Sequence, residues 1–359
     1  MAYSNIKENT HLSNRFFKIL KYIIIFFYVI KECLVRKIKI NSLSKLNPGL
    51  FYSGKGIPSK YYIYNYITSN NNFSKKYFPK TILIPKLSKY DKKDVRKIFE
   101  KFSDERIILK PDKGARSIGV FITTKDSERI NILNNCGNMD YVAQKFIPYK
   151  NELAVFYFKT PGHSKGKILG VAEKKFHKII GDGNKNIKQL LRKIPVSKAI
   201  IEQLKHRYEN LNYVPKKEEK ITLVSIVDHD DGAEYYDRSD LITRQALDVF
   251  DSITSGKEIY FCRFDIRARS IEDFKKGKNF SILEINAGFK AVLLHTLDPR
   301  YNLKKQIRQY KKEFSKVFQI ISHLKNKPRL TVIEFFYNSI RDEYNLFLLG
   351  LRLKKIKQR

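Results

Sequence analysis

The sequence predicts an α+β fold, and three observations predict it. Two apolar runs of strand length, FCRFDIR and FSILEINAG, lie between Phe261 and Gly288 and are joined by a polar, lysine-rich connection. Two further strand–turn–strand patterns precede them, RIILKPDKGARSIGVFIT (106–123) and YVAQKFIPYKNELAVFYF (141–158). Helical spacing occupies separate segments, at 86–104, at 240–255 and from LLHTLDP (293–299) to the C-terminus.

In chain order, residues 1–15 are polar, and FFKILKYIIIFFYVIK (16–31) follows. Its uninterrupted apolar core, Tyr22 to Ile30, is nine residues long, against the ~20 that span a bilayer. Lysines 18, 21, 31, 37 and 39 flank it, so two readings stand level, a helix packed on the domain or one lying on an anionic membrane surface, with a true membrane span third. LNPGLFYSGKGIPSKYYIYNYI (46–67) reads as turns feeding a helix. Its SGKG lacks the spacing of a Walker loop. YFPKTILIP (77–85) is a short strand, and Val95, Ile98, Phe99 and Phe102 mark the inner face of the helix over 86–104. A domain boundary is expected near 103. Pro148 interrupts the 141–158 run, so it forms two strands. ILGVAEKKFHKIIGDG (168–183) is a strand on which Glu173 and Lys175 share a face, followed by a turn and a helix at 186–193. KITLVSIVDHDDGAEYYD (220–237) is a strand and loop.

The formal net charge of +35 points to anionic partners, but the lysines are spread along the whole chain. No zinc-finger spacing, arginine-rich tract or RNP-like motif accompanies them, so no specific nucleic-acid partner is expected. Cys33, Cys136 and Cys262 lie far apart and form no CxxC motif, which reads as a reducing, cytoplasmic setting.

The chemistry concentrates between Phe261 and Gly288. Each run carries polar residues two apart, Arg263/Asp265 and Glu284/Asn286, and such residues share one face of a strand. Two adjacent strands would then gather a guanidinium, two carboxylates and a carboxamide oxygen, the donors that Mg2+ prefers when it arrives with phosphates. A satisfied salt bridge on a sheet face remains the plain alternative. Upstream, Lys110 ends a strand, and Gly114 and Gly119 bracket a turn over which backbone amides can approach phosphate.

With these segments in order, Arg106 to Pro299 resembles the ATP-grasp superfamily, and within it the D-alanine–D-alanine ligase-like carboxylate–amine ligases. Residues 46–85 also look like the lead-in of such proteins. The resemblance implies two α+β subdomains clasping nucleotide between antiparallel sheets, preceded by a mixed N-terminal region. The expected layout is a helical segment over 1–45, a lead-in over 46–103 and an ATP-grasp domain over 104–300. That domain divides into 104–148 and 149–300, and C-terminal helices occupy 301–359. The resemblance further implies that Lys110 contacts nucleotide phosphates and that Asp112 to Gly119, with Gly114, Ser117 and Gly119, forms a mobile phosphate-covering loop. Gln144, Lys145, Phe146 and Ile147 would contact adenine, Glu152 the ribose hydroxyls, and Lys175 a second phosphate position, with Lys174 as its neighbour. Asp265, Glu284 and Asn286 match the magnesium ligands, and Arg263 the arginine that stabilises a tetrahedral oxyanion. Gln144 stands where many of these ligases carry an acidic residue, and AGFKAVLLHTLDP does not copy the serine/proline loop of D-alanine–D-alanine ligases. The resemblance therefore carries the ATP chemistry rather than D-alanine as substrate.

The expected function is an ATP- and Mg2+-dependent ligase, with Mn2+ as a substitute cation. It would activate a small carboxylate as an acyl phosphate and join it to an amine. A homodimer is common in the resembled family. Two alternatives stand beside this: a basic membrane-surface or nucleic-acid-binding protein on an inactive scaffold, and phosphotransfer to a non-carboxylate acceptor. His229, Asp230, His295, Arg267, Arg269 and Lys290 are secondary candidates for substrate contact.

Overall fold

The structure, a computed structural model, describes residues 23–50, 58–102, 106–115, 118–135, 139–193, 211–223, 233–287, 293–324 and 330–334, together with isolated positions near them. Its first sheet has the order β1-β4-β2-β3 and comprises β1 (Thr81–Ile84), β2 (Ile107–Pro111), β3 (Phe121–Thr123) and β4 (Tyr141–Lys145), all antiparallel. The second contains β5 (Asn151–Phe158), β6 (Lys167–Phe176), β9 (Ala233–Asp237), β10 (Phe261–Ala268) and β11 (Phe280–Ala287). Its order is β11-β10-β5-β6-β9, again antiparallel. A small pair, β7 (Lys178–Ile180) with β8 (Lys220–Thr222), stands apart.

The continuous apolar run LAVFYF in β5 follows from burial on both faces. Leu153, Val155 and Tyr157 pack in a cluster with Phe250 and Ile253 of the helix Arg244–Thr254. Ala154, Phe156 and Phe158 pack in another with Phe314, Val317 and Phe318 of the helix Leu303–His323. Strand β10 alternates instead: Cys262, Phe264, Ile266 and Ala268 are buried, while Arg263, Asp265 and Arg267 occupy the half-buried face. The buried Cys262 thiol has its pKa pushed far up by burial, so it is packing rather than a nucleophile.

The expected break near 103 is crossed by one sheet and one core. Strand β1 pairs with β4 from Thr81↔Gln144 to Ile84↔Tyr141. Val95 and Phe99, on a helix opened by the Asp91/Asp94 capping box, pack in the cluster that holds Ile107, Leu109 and Tyr141. The first sheet therefore draws on residues from both sides of that position. A helix at Asp126–Asn135 covers the same core through Leu133.

Residues 23–35 are helical and turn Ile25, Val29 and Cys33 into the cluster of the helix Leu303–His323. The Tyr28 hydroxyl donates to the Lys311 carbonyl at 3.1 Å, and the Asn41 carboxamide donates to the Leu330 carbonyl at 2.6 Å. The packed-helix reading holds for that inner face, so removing the segment would open a core. No helix among the described residues is long and apolar enough to cross a membrane.

One glycine is fixed by close approach. A Cβ on Gly170 would lie 2.5 Å from Cδ2 of His295, a ring that is 1 % exposed and bound to Glu313 at 2.8 Å. The ring cannot withdraw, so Gly170→Ala should destabilise the protein by about 1–3 kcal/mol. A thermal melt reads the result as a lowered midpoint.

Candidate active site

The two antiparallel sheets meet along the edge strand β11. Ladder register places Asp265 opposite Glu284 and Arg263 opposite Asn286, so all four side chains share one face. The guanidinium of Arg263 grips Asp265 in a fork, Nε to Oδ1 at 2.7 Å and a terminal nitrogen to Oδ2 at 2.9 Å. The Asn286 carboxamide donates to Asp265 Oδ2 at 2.7 Å and to Glu284 Oε1 at 2.9 Å, bridging the two carboxylates. Burial works against the charge on Arg263, but Asp265 and then Glu284 raise its pKa above the ordinary value.

From the other sheet comes Lys110, 7 % exposed on β2. Ile108 pairs with Gln144 across β2–β4, so Lys110 and Gln144 lie on one face. Lys110 Nζ donates to Gln144 Oε1 at 3.0 Å and, across the sheets, to the Leu283 carbonyl at 3.2 Å. Gln144 Nε2 donates to that same carbonyl at 3.2 Å and to Thr81 Oγ1 at 3.1 Å. Leu283 is the residue left without a partner where the β10–β11 register slips between Asp265 and Ile266. Burial pulls the Lys110 pKa down to about 8, opposed by Glu284 and Asp265 and assisted by Lys60.

Lys60 is a cation at this cluster that sequence reasoning missed. It opens the helix Lys60–Thr68 behind the N-cap Ser59, and its ammonium donates to the Gly114 carbonyl. Burial pushes the Glu284 carboxyl up, but Lys60 and then Lys110 outweigh it and leave the pKa below the usual range. Two lysines from different elements thus bear on one carboxylate. The signal in the sequence was slight: a serine–lysine pair at the head of an aromatic run.

The glycine loop, expected to be mobile, is anchored at its start. Asp112 Oδ1 accepts from Ser59 Oγ and from the Tyr61 amide, both at 2.9 Å, and the Lys60 amide donates to the Asp112 carbonyl at 3.0 Å. These bonds tie the start of the loop to the N-terminus of the helix Lys60–Thr68. Gly119 has φ 77°, a conformation glycine adopts without strain. Ser117 lies outside the described residues, as do His229, Asp230 and Lys290.

The 145–152 linker is organised by arginines. The guanidiniums of Arg106 and Arg267 lie 4.7 Å and 5.8 Å from the centre of the Phe146 ring. Arg267 also donates to the Ile147 carbonyl at 3.0 Å and pairs with Glu152, Nε to Oε1 at 3.0 Å. Arg267 is thus an internal clamp on the linker rather than a group held out for a substrate carboxylate. The Arg269 amide serves the turn, donating to the Asn279 carbonyl. Lys145 is half-buried at the end of β4. On β6, Lys175 pairs with Glu173 at 3.2 Å and lies over Tyr236, with its side chain 54 % exposed, while Lys174 lies over Phe176. His295 is a core residue, against Phe156 with ring centres 4.9 Å apart. A pocket of about 530 Å³ lies elsewhere, between the helix Lys60–Thr68 and the Ser255–Lys257 turn, and shares no lining residue with this cluster.

The donor set suits a hard cation. Among the described residues no group of three or more His, Cys, Asp or Glu side chains could hold a metal ion. Asp265, Glu284 and Asn286 supply oxygen donors alone, the partial set from which Mg2+ binds when phosphates and water complete its shell. The Asn286 NH2 donates to both carboxylates, and turning the amide over would present an oxygen at the same point.

A model of the tubulin-tyrosine ligase family matches residues 54–149. The glutathione biosynthesis bifunctional protein GshAB of Clostridium perfringens (strain 13 / Type A) is 24 % identical over 228 residues, covering 57 % of this chain. The chain spans 28 % of that relative's length. A bifunctional glutathione synthetase from Pasteurella multocida superposes over 72 % of this chain and 38 % of its own, at TM-score 0.37 and 15 % identity. A D-alanine–D-alanine ligase from Bacillus anthracis does so over 74 % and 66 %, at TM-score 0.38 and 15 % identity. The structure has the α+β arrangement of two antiparallel sheets that the sequence predicts, joined by side-chain hydrogen bonds to the Leu283 carbonyl of β11.

Proposed function

We propose that this protein has the ATP-grasp fold and is an ATP- and Mg2+-dependent ligase that activates a carboxylate as an acyl phosphate and joins it to an amine. The observation that carries this reading is the meeting of Lys110 and Lys60 with the Arg263–Asp265–Asn286–Glu284 network across the two sheets.

Amide formation in water needs an activated carboxylate. A substrate carboxylate oxygen attacks the γ-phosphorus of ATP, forming a P–O bond while the bond to ADP breaks. The amine then attacks the acyl carbon, the C–N bond forms, phosphate leaves and the amine loses a proton to solvent. Such transfers ask a protein for positioning and charge neutralisation. Mg2+, or Mn2+ in its place, supplies positive charge against the phosphate oxygens when bound, and Asp265, Glu284 and Asn286 would hold it. Lys110 and Lys60 bind phosphate from the side of the first sheet, with Lys175 as a more exposed third cation. Arg263, fixed in its plane by Asp265, faces the developing oxyanion without needing to reorient. The linker Gln144–Ile147 and Glu152 border the adenosine end, and the Asp112–Gly119 loop shields the phosphates from water.

The peripheral roles follow the same reading: a cytoplasmic enzyme acting on small carboxylate and amine substrates, with a homodimer as its assembly. The test is a phosphate-release screen of amino acids and small carboxylates with Mg-ATP, followed by mass analysis of products. Amine-dependent phosphate release with a product lighter by one water than its two substrates is the expected result. Release without a condensed product, or a phosphorylated non-carboxylate acceptor, overturns it.

A further inference from the structure

The helix over residues 23–35 is apolar on two sides, and among the described residues only one is packed. Ile25, Val29 and Cys33 face the core, while Ile23, Phe26, Phe27 and Leu34 are 47–74 % exposed. The exposed set falls at i, i+3, i+4 and i+11, a second stripe along the same helix. Exposed basic residues adjoin it, Lys31, Arg36, Lys37 and Lys39. A second stripe stands near the other end of the chain. Ile333, Tyr337, Ile340 and Tyr344 are 59–82 % exposed at helical spacings of four, three and four, with exposed Arg341 beside Tyr337. The sequence beyond them, LRLKKIKQR, is strongly basic. Both stripes adjoin one cluster, since Leu330 belongs to the same buried cluster as Ile25, Val29 and Cys33.

We infer that these two stripes form a docking surface for an anionic lipid bilayer, with Phe26, Phe27, Ile333 and Ile340 entering the acyl boundary and the lysines meeting headgroup charge. Charge complementarity selects this occupant. A second copy docked on this face would set the flanking basic residues Lys31, Arg36, Lys37 and Lys39 against their own kind, whereas an anionic leaflet answers them. Nucleic acid would answer the lysines and leave the aromatic and aliphatic stripe in water. The helices lie on such a surface and do not cross it, in keeping with the absence of a spanning helix among the described residues. The inference is independent of the ligase reading.

The chain contains no tryptophan, so Phe27→Trp places a single reporter on the stripe. With the full-length protein, vesicles of phosphatidylcholine containing phosphatidylglycerol should shift its emission to the blue, and pure phosphatidylcholine vesicles should not. In sedimentation, Phe26→Ser with Phe27→Ser should weaken vesicle binding about tenfold, and Ile333→Ser with Ile340→Ser by a similar factor. All four side chains are exposed, so the melting temperature should stay put. Three results overturn the inference: no sedimentation of the full-length chain with anionic vesicles, binding unchanged by all four serines, or a dimer that these substitutions dissociate.

Discussion

Glu284→Gln should reduce Mg-ATP turnover about a thousandfold, a loss of roughly 4 kcal/mol of transition-state charge stabilisation, while leaving the fold intact. The reasoning is local. Glutamine keeps the shape of the side chain and an oxygen that accepts from Asn286, but it removes the negative charge on which Lys60 and Lys110 converge. Asp265→Asn should behave differently, although the two carboxylates face each other across the ladder. Asp265 holds the half-buried guanidinium of Arg263 by two hydrogen bonds, so its loss weakens the hold on that charge and should cost about 1–3 kcal/mol of stability as well as activity. Phosphate release and a denaturation curve on both variants separate the roles. Unchanged turnover in Glu284→Gln removes the metal assignment.

Lys110→Met should weaken ATP binding about 10- to 100-fold and, at neutral pH, raise the stability of the protein. Stabilising and disabling effects on one side chain identify a group kept for binding. Folding lowers the Lys110 pKa from its ordinary 10.5 to about 8, so the charged form is disfavoured by roughly 3 kcal/mol in the folded chain. Below pH 8 both folded and unfolded states carry the proton and that penalty is fully present. Between pH 8 and 10.5 the unfolded state binds more protons, so stability rises with pH and the penalty fades. Binding runs the other way. A phosphate beside the ammonium favours the charged form, so ATP affinity should fall as pH rises above about 8, with proton uptake on binding. Calorimetry in buffers of different ionisation enthalpy reads this directly. Equal affinity in the variant, or no proton uptake at pH 9, contradicts a phosphate role for Lys110.

The core of the site was legible because strand periodicity is short-range. Arg263/Asp265 and Glu284/Asn286 sit two apart in sequence, which places each pair on one face whatever the rest of the chain does. Pro148 likewise marked the end of β4 and the start of β5. What escaped depends on distant pairing. Strand β1 joins β4 some sixty residues away, so nothing near residue 103 revealed that a sheet passes over it. Arg267 and Glu152 are 115 residues apart, and their ion pair shows only once β10 lies beside β5. Lys60 was hidden by its surroundings: in a chain with 71 lysines and arginines, one more lysine carries no contrast.

The slipped register at Leu283 has a consequence for how an anion enters. Its backbone oxygen is claimed by two side chains from the opposite sheet, and Gln144 alone suffices to satisfy it. Lys110 can swing toward an arriving phosphate without orphaning that oxygen, and without ever leaving its own charge unanswered. Recognition then begins as a trade of partners within an assembled site, and the sheets stay stitched by a neutral amide throughout.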